Sequence, residues 1–426
     1  MAKLPTIAIP LDLPDVDVIR TDVTSSRELV IEVRSTLTST TCRKCQRTIT
    51  DSAGTDRPIR LRHLPILGMQ VWIEIRPKRF RCPFCDDHPT TTQVLPWYTP
   101  NTPFTKAFEP HLLVLLINST IVDVCRKAEV LPDAMLGVID RRIEASTAWD
   151  TLPAFTVIGI DEIALKKGHR DYVAIVSAQE PDGTRHLLAV LPDRTKATMV
   201  AWMQTIPEPI RQRIRTVCTD MWEAYVRAAE EVLPHAAIVI DRLHVATHAA
   251  DAVDTLRKAE LKRLRKTLTP AQAEDLKHAM WTLRKRASSL TDEERDRRDR
   301  FLSYSPALAE AYELREELTR IFDRTHSKAA GLRRLKAWRR KVLARGVTCF
   351  DGFLKLLDTW LDGIANSFRK HQNSGFVEGL NNKLKVLKRR CFGMTNHRHL
   401  FQRITLDLEG YRRLGPQAAP AYEIEG

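Results

Sequence analysis

A chain of 426 residues with 43% hydrophobic side chains has room for two to four domains and the apolar material for real cores, which excludes a disordered polymer. Its formal net charge of +14 sets up a field that attracts polyanions, so nucleic acid is the expected partner and an anionic membrane surface the second. The longest apolar run, Leu112 to Ile117, is far too short to span a bilayer, and the opening residues lack the plan of a signal peptide. A reducing cytoplasmic setting is therefore expected, and a disulfide framework for the eight cysteines is not.

In chain order, residues 28–36 alternate apolar and polar like a half-exposed strand and run into Cys42 and Cys45. A second alternating stretch, Met69 to Ile75, leads into Cys82 and Cys85. Two CxxC turns, each closing a β-rich stretch, offer the four sulfurs of a tetrahedral structural zinc site, with no position left for water. The gap from Cys45 to Cys82 should hold at least one hairpin. No thioredoxin-like βαβ pattern surrounds either pair, which argues against a redox role. Cys125, Cys218, Cys349 and Cys391 are scattered and read as small core residues.

From His88 to Pro110 the chain is rich in Thr and Pro and reads as a linker or extended arm. Within it, packing is the better expectation for Trp97 and Tyr98 than stacking on bases. Helical spacing follows over His111 to Asn118, over Thr120 to Ala128 with a cap at Ser119 or Thr120, and from Asp133 to about Ile143. Two short helices and a third ending in Arg141 and Arg142 outline a helix-turn-helix, although three-helix units are common without DNA.

Val157 to Asp161 is a short apolar run ending in a carboxylate, as expected of a buried strand that delivers Asp161 to a sheet edge. Residues 171–177 and 185–191 give two more strands around the Pro181-Asp182-Gly183 turn. A helix over Arg194 to Ile206 precedes a fourth strand, Arg215 to Thr219, which delivers Asp220. A helix from Met221 to Val232 leads to a fifth strand, Ala236 to Ile240, ending in Asp241. Parallel neighbours bring such strand ends to one edge, and like charges held close are tolerated where a divalent cation binds. Trp222 and Tyr225, beside Asp220, are expected to pack in the core, with stacking on a base as the alternative.

From Val245 to about Ser367 the pattern is helical and basic. Residues 256–268 carry six cations, and residues 333–345 carry Arg339, Arg340 and five others without an acid. That excess suggests phosphate contacts over a merely solvated face. Such helices show no paired aromatic face for a membrane surface. The last element, His371 to Arg390, has an apolar stripe of Val377, Leu380, Leu384 and Leu387, with Glu378, Asn382, Lys385 and Arg389 on another face. Glu378 is the candidate for a third essential carboxylate; a surface pairing with Lys385 or Asn382 is the plainer reading.

Taken together, the paired CxxC turns, the three helices, GIDEIALKKGHRDY at 159–172, TDMWEAY at 219–225, IDRLH at 240–244 and NSGFVEGLNNKLKVLKRRCFGMTN at 373–396 resemble the zinc-ribbon DDE transposases of the bacterial insertion-sequence family ISL-three. The resemblance implies a multidomain α/β chain: an RNase H-like catalytic core interrupted by an all-α insertion and preceded by a β-rich zinc ribbon and a helix-turn-helix. The boundaries expected are 1–105 for the ribbon with its Pro-rich linker, 106–148 for the helix-turn-helix, 153–245 and 368–412 for the two parts of the catalytic domain, 246–367 for the basic insertion, and 413–426 for a tail.

It also implies that Asp161, Asp220 and Glu378 form the catalytic triad, supported by Asp241 and His244. The three acids would hold two Mg²⁺ or Mn²⁺ ions, one activating water and then the freed 3′-hydroxyl, the other stabilising the leaving oxygen. Lys166, Lys167, His169, Arg141, Arg142, Arg339, Arg340, Lys385 and Arg389 are the expected DNA-contacting cations. The expected partner is double-stranded DNA, both terminal inverted repeats and target, bound by a homodimer or larger synaptic complex. An RNase H-like nuclease or resolvase, and a catalytically inert DNA-binding regulator, are the alternatives.

Overall fold

The computed structural model describes residues 8–164, 172–274, 276, 279–369, 383–387, 389–390 and 396–415. The chain forms two compact units, one of residues 1–145 with 402–426, the other of residues 146–401. No helix among the described residues is long and apolar enough to cross a membrane.

In the first unit, strands β1 (Val16–Val23), β2 (Glu28–Ser35), β7 (Met69–Ile75) and β6 (Ile59–Ile66) form a sheet in the order β1-β2-β7-β6. The alternation expected over residues 28–36 and 69–75 buries Ile31, Val33, Val71, Ile73 and Ile75 on one face. Two smaller sheets carry the cysteines: β3 (Thr40–Thr41) pairs β4 (Thr48–Ile49), and β8 (Lys78–Arg81) lies between β5 (Asp51–Thr55) and β9 (Thr90–Thr92). The stretch after β9 is extended, as its composition predicts, but it is not a free linker. Leu95, Trp97, Tyr98 and Phe104 are buried, and the backbone of Arg62 on β6 bonds Pro103 and Thr105.

Helices α1 (Phe108–Leu116), α2 (Ile121–Ala128) and α3 (Pro132–Arg142) follow. Thr120 caps α2 by accepting from the Asp123 amide, Glu129 ends it in a left-handed conformation, and Pro132 opens α3 where a missing N–H costs nothing. The final helix, His397–Leu414, adds Leu406 to their core from Gln402 onward. Its buried Arg403 donates to the carbonyls of Leu116, the last residue of α1, and of Ser119 just beyond it, and Gln402 donates to the Ile143 carbonyl. The resemblance assigns residues 368–412 to the second part of the catalytic domain; of these, residues 402–412 fall in the first unit. An amphipathic stripe reports that a face is covered but carries no information about its cover.

The second unit is built on a five-stranded sheet of β10 (Val157–Ala164), β11 (Tyr172–Gln179), β12 (Arg185–Leu191), β13 (Thr216–Thr219) and β14 (Ala237–Ile240), in the order β12-β11-β10-β13-β14. The first three strands are antiparallel, while β13 and β14 run parallel to β10. Helices Lys196–Gln204 and Glu223–Val232 make the two crossovers, contributing Met199, Met203, Tyr225 and Ala229 to the core with Ile158, Ile160 and Val217. After Asp241 the described elements of this unit are helices: Arg242–Leu264, Pro306–Arg324, Lys328–Ala344 and Asp351–Asn366 enclose Phe301, Trp338, Phe350 and Phe353. The helix Asp351–Asn366 lies against β14, where a Cβ on Gly363 would come within 2.8 Å of Ile240 and the Asn366 amide donates to the Ile238 carbonyl at 2.8 Å.

Candidate active site and metal centre

Register decides where the acids fall. Gly159 pairs with Cys218, and Cys218 with Val239. The same register, carried two residues past these pairs and beyond the ends of β13 and β14, sets Asp161, Asp220 and Asp241 on one rung, and the charges of both Asp220 and Asp241 reach Asp161. The small apolar cluster of Cys218, Val239 and Val157 lies beneath them. One expectation changes: β10 does not stop at Asp161. It continues to Ala164 because β11 keeps pairing with it, Asp161 opposite Ile175 and Ala164 opposite Tyr172.

Burial raises the Asp161 carboxyl to about 6; the Glu162 amide, donating at 2.6 Å, opposes the rise, the charge of Asp220 adds to it, His244 pulls against it and Asp241 adds more. Asp220 is raised too, first by burial, with His244 again opposing. A cation at this edge would relieve both costs. Asp241 has a different task. Its carboxylate accepts from the Leu243 amide at 2.8 Å and caps the helix Arg242–Leu264, setting His244 one turn into that helix.

Two residues beside the rung escaped sequence reasoning. Glu162, on the other face of β10, is held through both oxygens by Arg194 at 3.1 Å. The Arg194 guanidinium lies over the rings of Tyr172 and Trp222, at 4.4 and 4.1 Å from their centroids, and its carbonyl accepts from the Trp222 indole at 3.0 Å. A carboxylate directly after Asp161 was the available signal, but its partner lies 32 residues away. Of the two aromatics near Asp220, Tyr225 is fully buried, as expected, whereas Trp222 is 36% exposed. The hydroxyl of Tyr225 is buried without a hydrogen-bond partner among the described residues, and its pKa is raised by burial and then by the charges of Glu162, Asp220 and Asp161.

Glu378, Asn382, Lys166, Lys167 and His169 lie outside the described residues. Lys385 and Arg389 are exposed, while Leu384 and Leu387 of the same stretch are buried. Arg141 and Arg142 are not free cations: both donate to the buried Glu109 of α1, Arg141 at 2.7 and 2.9 Å and Arg142 at 2.6 Å. Arg339 pairs with Asp358, and Arg340 is exposed.

The metal centre of the first unit is more complete. Backbone bonds from Gln46 to the Cys42 carbonyl and from His88 to the Cys85 carbonyl close the two turns. All four sulfurs of Cys42, Cys45, Cys82 and Cys85 lie within 4.8 Å of one another, the only such donor group among the described residues. Zn–S bonds of about 2.3 Å to a tetrahedral ion put sulfurs roughly 3.8 Å apart. The Cys45–Cys82 and Cys82–Cys85 separations are both 3.6 Å. Backbone amides of Cys45 and Lys44 draw the Cys42 thiol down to about 6, while burial pushes the Cys82 and Cys85 thiols up, a cost that a bound cation would offset. The surrounding core is only Ile49 and Phe80, so this module has little besides a metal to hold it.

Two family models match the chain. The family model for DDE transposases of the ISL3 type, described as a transposase, matches residues 158–404, from β10 into the final helix. The chain belongs to the ISL3 family of DDE transposases. It is accordingly a DNA transposase of an insertion sequence. A second family model, the zinc finger of the IS204, IS1001, IS1096 and IS1165 transposases, matches residues 38–85 and ends on Cys85. The transposase of IS1001 from Bordetella parapertussis is 28% identical over 356 residues, covering 83% of this chain and 85% of that protein. The transposase of IS1557 from Mycobacterium tuberculosis is 24% identical over 424 residues, covering 94% and 93%. In this transposase the four-cysteine cluster is a structural zinc site.

Proposed function

We propose that this transposase binds the terminal inverted repeats of its insertion sequence and carries out metal-dependent strand cleavage and strand transfer at the edge bearing Asp161 and Asp220, with Glu378 as the third carboxylate. The observation that supports this most is the shared rung of Asp161 and Asp220, buried enough that both carboxyls hold their protons unusually tightly. The 3-2-1-4-5 strand order, with three antiparallel strands followed by two parallel ones, is the plan expected of an RNase H-like core. Oxygen donors suit Mg²⁺ or Mn²⁺, and such ions, when bound, supply activation of the attacking oxygen and neutralisation of the leaving one.

The chain's own residues do the rest. Asp161 and Asp220 serve as ionised oxygen donors, and His244 favours that form through its field. Asp241 fixes the start of the helix that carries His244. Glu162 and Arg194 hold the ring of Trp222 beside Asp220, where its exposed face is open to a base. Helices α1 to α3 act as a helix-turn-helix, and Glu109 orients Arg141 and Arg142 at the end of α3, with α3 in the major groove. The zinc ribbon is a second DNA-binding module, and the active form is a homodimer or larger synaptic complex in the cytoplasm.

The test uses purified protein, Mg²⁺, duplexes carrying the element's ends, and target DNA. Joined end–target products are expected from the wild type. Asp161→Asn, Asp220→Asn and Glu378→Gln should bind the ends and join nothing. Cleavage without joining would favour a nuclease or resolvase, and unchanged transposition by Asp161→Asn would leave only a DNA-binding regulator.

A further inference from the structure

The basic helix Lys328–Ala344 and the residue after it carry eight cations and no acid, which by sequence are equivalent. The fold separates them. Lys328 pairs with Asp362, Arg339 with Asp358, Lys341 with Glu317 and Arg345 with Glu313. Arg334 donates to the Arg324 carbonyl and the Thr325 hydroxyl. Arg333, Lys336 and Arg340 remain. All three are exposed, and among the described residues none has an ion pair or hydrogen bond. Their spacing of three and then four residues puts them on one face of the helix, along the rim of a groove of about 760 Å³ shared with Leu357, Asp358 and Leu361. Asp358 is the acid in that groove, and Arg339 already occupies it.

We propose that Arg333, Lys336 and Arg340 form a track for the phosphodiester backbone of duplex DNA, contacting about three phosphates without reading sequence. The inference rests on DNA being the substrate of this transposase. Seven residues of helix rise about 10 Å, and one DNA strand presents a phosphate roughly every 3.4 Å along its axis, so three cations over that length meet about three phosphates. Three uncompensated like charges on one exposed face repel one another, and a polyanion is the partner that turns this cost into affinity. The cations stand on the exposed face of a helix along the rim of the groove, and among the described residues no aromatic or amide side chain joins them there, so the contact is one with phosphates that positions the duplex.

The experiment measures the salt dependence of binding of the full-length, zinc-loaded protein to random-sequence duplex DNA, comparing wild type with Arg333→Gln/Lys336→Gln/Arg340→Gln. Each lost phosphate contact removes about 0.9 from the slope of log K against log salt, so the triple variant should lose about 2 to 3. Arg339→Gln, whose cation Asp358 already neutralises, should change the slope by much less than one contact. Preference for the element's ends over random DNA should be the same in wild type and triple variant. An unchanged slope in a folded triple variant overturns the track while DNA binding by the wild type stands, and so does a lost preference for the ends. If the wild type itself binds no duplex, the DNA reading fails first and the track with it.

Discussion

Asp161 is placed where its charge is costly to the fold, and removing that charge should stabilise the protein while abolishing its chemistry. In the unfolded chain the carboxyl titrates at its ordinary 3.8; in the fold it titrates at about 6. The ionised form is therefore about 3 kcal/mol worse off in the folded protein than in the open chain, since each tenfold in proton affinity is worth about 1.4 kcal/mol. The sign follows from proton uptake. Between these two values the folded state holds the proton and the unfolded state does not, so the contribution to stability is full below the unfolded value and is lost as the pH rises through about 6.

Asp161→Asn keeps the shape and deletes the charge. Allowing for the amide that must still be buried, we expect a gain of about 1 to 3 kcal/mol near pH 8 and almost none near pH 4. Hydrogen exchange at the amides of β10 and β13 reads this locally, in magnesium-free buffer with the zinc retained. Added Mg²⁺ should close the gap by protecting the wild type alone, as a ligand that binds only the folded, ionised site must. A variant no better protected than wild type near pH 8, or equally improved near pH 4, would refute the claim that a buried charge at this rung is the source of the cost.

The remaining expectations concern the scaffold. Metal analysis should find one zinc ion per chain, and Cys82→Ser should lose it and render residues 40–55 and 78–92 susceptible to limited proteolysis, because Ile49 and Phe80 alone cannot hold that module, while β6 and β7 keep their own core. Glu109→Gln strips the shared carboxylate from Arg141 and Arg142 and should destabilise the helical cluster by about 2 kcal/mol in urea titration, discounting for guanidinia that remain about a third exposed. Gly363→Ala would add a Cβ within 2.8 Å of Ile240, and the overpacking, about 1 to 3 kcal/mol, should exceed the roughly 1 kcal/mol gained in helix propensity, lowering the melting temperature. Arg194→Ala frees Glu162 and the ring of Trp222; strand joining should fall together with affinity for the DNA ends, whereas an unchanged binding curve would leave Trp222 with no DNA contact.

What the sequence made legible and what it hid divide along a physical line. Strands β10, β13 and β14 could be read because each holds a short apolar run that leads into an acid, although β10 runs on past it to Ala164, and the parallel register then aligns Asp161, Asp220 and Asp241. The four cysteines could be read because a chelating turn is local, and only the 37-residue step from Cys45 to Cys82 needed the fold. Cations are the opposite case. The chemistry of Arg141 depends on Glu109, 32 residues away, and that of Arg339 on Asp358, 19 residues away, and neither separation leaves a periodic trace. The Thr/Pro stretch around Trp97 was legible as extended, and packing was the expectation for Trp97 and Tyr98, but what covers them was not legible, since that cover comes from β6 and the sheet beside it. A basic helix is thus a poor predictor of a basic surface. Of eight cations over 328–345, the fold neutralises four with acids from neighbouring helices and engages a fifth through oxygen acceptors, and the charge left to act on DNA is set by which acids the tertiary structure brings near.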